Sequence, residues 1–133
     1  MEKDSTLHLY FVIIAIVLSI IVAFVSLMPS SGVPKVEIKH LDKLIHFTMY
    51  FVLSMSYGLA FSFIYKNGSF KKWLFPFLMA LCFGILMEFC QEIFTNTRNF
   101  DVFDILANGI GSFFGILILK KLSLTFKTIN LCL

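Results

Sequence analysis

Charge is what this sequence has least of. Only 14% of its 133 residues are Asp, Glu, Lys or Arg, where soluble domains carry about a quarter, while 59% are apolar. With a mean hydropathy of +0.90, this shortage excludes an ordinary soluble domain and marks a polytopic membrane protein, in which lipid takes the place of a large aqueous-protein core. An excess of positive charge is also lacking. Eleven basic residues stand against eight acidic ones, a net +3, too little for a nucleic-acid surface. The three cysteines, Cys82, Cys90 and Cys132, have no metal-type spacing. Cys82 and Cys90 lie about 12 Å apart along a helix rising ~1.5 Å per residue, too far for a disulfide, so they read as apolar packing residues. There is no HExxH, no histidine pair, and no span histidine besides His46 except His8 at the opposite end. No serine stands in an elbow-like setting, which argues against nucleophilic triad chemistry. Internal repeats, low-complexity segments and a second domain are absent.

What the chain does have is four long apolar runs. Hydropathy and breakers place them at about residues 7–28, 42–65, 73–94 and 102–119, and predict one transmembrane domain over 1–133: an all-α membrane protein, a four-transmembrane-helix up-down bundle. The first run, Leu7 to Met28, exceeds the roughly 7–15 residues of a cleavable signal's apolar region and is expected to remain as a helix. Pro29, Ser30, Ser31, Gly32 and Pro34 end it. The short basic turn Lys66 to Lys72 forces the second and third helices to run antiparallel, and Trp73 suits the membrane interface. In the fourth run Gly111 and Gly115 form a small-xxx-small pair, a helix-packing face.

Even numbers of crossings put the N-terminus, the Lys66 to Lys72 turn and the tail on one side. Lys3, Lys66, Lys71, Lys72, Lys120, Lys121 and Lys127 fall there, and Lys35, Lys39, Lys43 and Arg98 on the other. The positive-inside rule then makes both termini of this multi-pass chain cytoplasmic.

Against this apolar background the stretch Glu88 to Asn108 carries Glu88, Gln91, Glu92, Arg98, Asp101, Asp104 and Asn108. Ionisable groups at such depth need partners and usually have a use. Asp42, His46 and Tyr50 recur every fourth residue, along one face of the second helix near its start. At ~1.5 Å per residue, Tyr50, Glu88 and Asn108 each lie roughly 9 Å in from the outer ends assigned above, so three helices contribute to one polar layer. Plainer roles stand beside the functional one. Asp42, Asp101 and Asp104 can cap helix starts, and Gln91 and Asn108 can bridge helices. Glu88 and Glu92, near a helix C-terminus where negative charge is disfavoured, need a cation, with Arg98 and His46 as candidates. Beside Tyr50 and opposite two carboxylates, His46 is a plausible proton donor or acceptor. No cofactor is expected; a divalent metal on Asp42, His46, Glu88, Glu92 and Asp104 is the minor alternative that these donors leave open.

The ordered set D-K-x-x-H-F-x-x-Y, E-x-x-Q and R-x-x-D-x-x-D-x-x-x-N-x-x-G, over about residues 27–119, resembles the VanZ-like family of small bacterial membrane proteins, named for a teicoplanin-resistance factor. The motif positions are Asp42, Lys43, His46, Phe47, Tyr50, Glu88, Gln91, Arg98, Asp101, Asp104, Asn108 and Gly111, and all are present. The resemblance implies an inner-membrane protein linked to glycopeptide resistance. Joined to the polar layer, it leads to the expectation of an outward-facing pocket for a membrane lipid or lipid-linked cell-wall precursor. Asp42, Lys43, Tyr50, Gln91, Arg98 and Asn108 would bind, with Lys43 and Arg98 on a phosphate or carboxylate. Two alternatives are carried with it. One is a membrane enzyme acting on a lipid-linked phosphate or ester through His46, Glu88 and Asp104; the other is a structural partner of an envelope complex or a homo-oligomer.

Overall fold

Four helices follow one another along the chain: α1 (Glu2–Leu27), α2 (Leu41–Phe61), α3 (Lys71–Phe94) and α4 (Val102–Cys132). The structure, a computed structural model, describes residues 2–28, 41–64, 70–96 and 99–132, with side chains described for 5–28, 41–64, 70–96 and 99–125. No strand occurs among the described residues. Each helix contains a segment long and apolar enough to cross a membrane: Ser5–Leu27, Leu41–Phe61, Lys71–Phe94 and Val102–Thr125. The expected element count and order hold, but α4 runs well past residue 119. Lys120 and Lys121 interrupt the apolar run without interrupting the helix, because lysine is a good helix former.

The helices alternate in direction. At one end the last turns of α1 and α3 meet the first turns of α2 and α4: Gln91 Nε2 donates to the Ser26 carbonyl (2.9 Å) and Lys43 Nζ reaches Asp101 (2.5 Å). At the other end Phe63, just past α2, stacks on His8 and Phe11 of α1, with ring centroids 5.6 and 5.8 Å away.

Small residues decide how close the helices come. A Cβ on Gly111 would run into the Phe47 carbonyl, and one on Gly115 into the Phe51 carbonyl and Ser54 Oγ. Backbone therefore lies on backbone where α4 crosses α2, the close approach that a glycine pair at spacing four permits. Gly58 performs the reciprocal service, its missing Cβ leaving room for Leu119 Cδ2 at 2.5 Å.

The core is correspondingly thin: Ala15, Val22, Tyr50, Leu53, Tyr57 and Ala80, with Leu18, Met49 and Phe83 against it. Most large apolar side chains of α1 point outward, Ile20 and Phe24 among them, as hydrocarbon contact rather than mutual burial would have it. Cys82, expected to pack, is also exposed, and Cys90 is half-buried; a small weakly polar thiol is tolerated on an apolar outer face. α1 packs on α2 and α3. Ser19 fastens it: its hydroxyl donates to the Ala15 carbonyl (2.7 Å), leaving Oγ to accept from the Tyr57 hydroxyl (2.7 Å). A cavity of about 290 Å³ with an almost wholly carbon lining, including Trp73, Phe77, Phe113 and Lys120, opens between α3 and α4 at the end away from the polar cluster.

Candidate functional site

The polar residues of α2, α3 and α4 converge at the end where α2 and α4 begin. Asp101 shows why. It precedes α4 as its cap, with Oδ1 accepting the Phe103 backbone N–H (2.8 Å), the usual way an aspartate satisfies a free amide of the first turn. Its own backbone N–H donates to Glu88 Oε1 (3.0 Å), and its Oδ2 receives the Lys43 ammonium (2.5 Å). One residue thus joins all three helices. The Lys43 ammonium, helped by the Phe103 N–H, holds the Asp101 carboxyl below the usual carboxylate range.

Lys43 lies amid acid. Besides Asp101 it bonds Asp104 Oδ1 (2.8 Å) and stands 3.6 Å from Asp42 Oδ2. Expected to meet a guest's phosphate, it instead has its ammonium engaged by three carboxylates of the protein. One step inward, His46 is 2% exposed, and its Nδ1–H donates to Asn108 Oδ1 (3.1 Å), an amide oxygen that can only accept. That leaves Nε2 facing Asp42 Oδ1 and Asp104 Oδ2, each at 3.9 Å.

Deeper still lie Tyr50, Glu88 and Asn108, none more than 1% exposed. Gly84 makes room for them, since a Cβ there would sit 3.0 Å from the Tyr50 ring and 3.1 Å from Asn108. Their hydrogen-bonding capacity is not filled. Among the described residues Tyr50 OH, Glu88 Oε2 and Asn108 Nδ2 have no hydrogen-bond partner, nor have the buried hydroxyls of Ser26 and Ser112. Native proteins seldom leave such atoms bare without water, an ion or a ligand to take them up.

The sequence expectations can now be placed. Asp42, Lys43, His46, Tyr50, Glu88, Asp104 and Asn108 do come together. Glu88 meets no cation within bonding distance among the described residues; the Asp101 amide takes that place. Gln91, expected to bind a ligand or bridge helices, is buried and bridges, holding the carbonyl of Ser26. Glu92 is exposed and apart from the cluster. Arg98 lies outside the described residues, as do the connections 29–40 and 65–69. Ser26 and Gly84 carry no expectation from the sequence, and Ser112 only a place beside the Gly111 and Gly115 packing face. Gly84 and Ser112 each lie one helical turn, four positions, from Glu88 and Asn108, and that spacing is the signal that could have found them.

A search of curated proteins and a search of solved structures both return no match. A family model does match: VanZ/LLP1, over residues 5–126. The match takes in α1 and extends past residue 119, beyond the 27–119 region in which the motif residues lie. With four helices able to span a membrane, a polar cluster built from the motif positions of α2, α3 and α4, and a family match over nearly the whole chain, the protein belongs to the VanZ/LLP1 family of multi-pass membrane proteins.

Proposed function

We propose that the polar end of this bundle recognises the head of a membrane lipid or lipid-linked cell-wall precursor at the outer face of the bacterial cytoplasmic membrane, and that a change in how glycopeptides such as teicoplanin meet their target follows from this. The observation that carries the reading is the unfilled trio Tyr50 OH, Glu88 Oε2 and Asn108 Nδ2, a donor-acceptor set from three helices with no partner among the described residues. A hydroxyl- or amide-bearing head group supplies the missing bonds, and a rim of Asp42, Lys43 and Asp101 offers charge of both signs to its polar periphery. Because Lys43 is already paired, Arg98 is the cation to test for a phosphate.

Native mass spectrometry of the protein purified from bacterial membranes tests this. A lipid adduct is expected on the wild type and should weaken in Glu88→Gln, Tyr50→Phe and Arg98→Ala. Glu88→Gln keeps an oxygen for the Asp101 amide and removes only the charge and one acceptor. An adduct indifferent to all three substitutions overturns the proposal. In cells, Glu88→Gln should lower teicoplanin tolerance at unchanged protein abundance; a phenotype that tracks abundance alone belongs to a structural partner instead.

One observation favours an enzyme as the second reading: His46 is buried between Asn108 and two carboxylates, an arrangement that fixes an imidazole for proton transfer. Turnover of a lipid-linked phosphate or ester in reconstituted vesicles, abolished by His46→Ala in a protein that still folds, separates catalysis from stoichiometric binding.

A further inference from the structure

Asp42 and Asp104 each divide their two oxygens between different partners. Asp42 Oδ2 and Asp104 Oδ1 face the Lys43 ammonium at 3.6 and 2.8 Å, whereas Asp42 Oδ1 and Asp104 Oδ2 face His46 Nε2, both at 3.9 Å. The lysine therefore neutralises the back of the pair and leaves the front open. On that front the Asn108 oxygen accepts from Nδ1 of His46 and so turns Nε2 toward the two carboxylates. One oxygen from each carboxylate and one imidazole nitrogen, all within 4.8 Å of one another, converge in a geometry that could hold a metal ion. Three such donor atoms, from two helices, share one point that a cation can occupy. Glu88, joined to this cluster through the Asp101 N–H, is 1% exposed, and its Oε2 has no hydrogen-bond partner among the described residues.

We infer that Asp42, His46 and Asp104 form a binding site for a first-row divalent cation such as Zn²⁺ or Mn²⁺, ligated through Asp42 Oδ1, His46 Nε2 and Asp104 Oδ2. Mixed imidazole and carboxylate donors suit these ions better than Mg²⁺ or Ca²⁺, which prefer oxygen alone. The second layer is of the kind that metal-ligating histidines have, the far ring N–H being held by a carbonyl oxygen, here that of Asn108. Bonds of roughly 2.1 Å set tetrahedral donors about 3.4 Å apart, so the 3.9 Å contacts must close by about half an ångström. Asp42 can make that movement, since its side chain is 50% exposed at the start of α2. The same exposure leaves the remaining coordination positions to water, so the site is open. Nothing in this inference depends on the head-group reading, and either can fail alone.

The test titrates Zn²⁺ alone into chelator-stripped, detergent-purified protein by calorimetry, with Co²⁺ visible absorption as a second readout. One saturable equivalent is expected, with affinity about tenfold weaker or worse in Asp42→Asn and in His46→Gln, and with the Co²⁺ band lost in both. Asp42→Asn keeps the result decisive should His46→Gln fold poorly, because Asp42 is on the water-exposed rim. Absence of saturable binding overturns the inference, and so does binding that both variants leave unchanged.

Discussion

Asp101 is the residue whose several bonds can be separated by experiment. Replacing it with Ala removes the α4 cap, worth about 1 kcal/mol, and a half-exposed ion pair worth at most about another. Asp101→Asn keeps an oxygen for the Phe103 amide and removes the charge facing Lys43. Because the folded protein holds this carboxyl below its ordinary value near 3.8, its contribution is present above that value and is lost as pH falls through the lower, folded one. Unfolding midpoints in detergent between pH 2 and pH 6 should therefore show an acid-side loss in the wild type that is blunted in Asp101→Asn; equal slopes would rule this out. At this scale the sequence was informative about type and less so about partner. Asp101 as a cap follows from its position before an apolar run. That Glu88 would be met by a backbone amide thirteen residues later does not, since nothing local shows how the chain turns between α3 and α4. Lys43 invited a phosphate role for the same reason: three carboxylates from two regions of the chain close on it only in the folded bundle.

Between elements, the most informative contact is that of α4 on α2. In an exposed or lipid-facing position, Gly→Ala in a helix stabilises by about 1 kcal/mol through propensity alone. At Gly111 and Gly115 the sign should reverse, because the added methyl meets the backbone of Phe47 and Phe51 rather than a movable side chain. A loss of about 1–3 kcal/mol is expected for each, as for other overpacked sites. Gly109→Ala, where the nearest atom is Leu81 Cδ1 at 3.4 Å, should be neutral or stabilising. Unfolding of the three variants in mixed detergent checks the contrast. The small-residue pair was legible in the sequence, but its partner was not: short turns identify chain neighbours, whereas α2 and α4 are separated by a whole helix. α1 begins at Glu2, ahead of the expected Leu7, but the starts of α2 and α4 were close to expectation because Asp42 and Asp101 mark them. The end of α4 was not, because its last stretch is polar enough to leave the hydrophobic pattern while retaining helix-forming residues.

For the molecule as a whole, charge distribution makes a prediction that the fold does not settle by itself. Lys71, Lys72, Lys120 and Lys121 lie at the end opposite the polar cluster, and the positive-inside rule predicts that this end faces the cytoplasm. A fluorescent-protein fusion at the C-terminus should fluoresce and a periplasmic-enzyme fusion there should stay inactive; the converse pattern would turn the polar end inward and remove the outer-leaflet head group from consideration. The class of molecule was legible from composition, and the family from twelve motif positions. The shape of the polar end was not, because it depends on four chain segments meeting at one level.

The bond from Gln91 to the Ser26 carbonyl has a consequence for how the architecture can be altered. Ser26 belongs to the least buried of the four helices, one that would pass for a simple anchor. Yet its last turn supplies the acceptor without which the Gln91 carboxamide of the E-x-x-Q motif would stand bare toward hydrocarbon, a penalty of several kcal/mol for a polar group in oil. Trimming the chain to begin at residue 41 should therefore yield a product that membrane quality control degrades rather than a working three-helix miniature, and co-expressing the missing piece as a separate peptide should restore its accumulation.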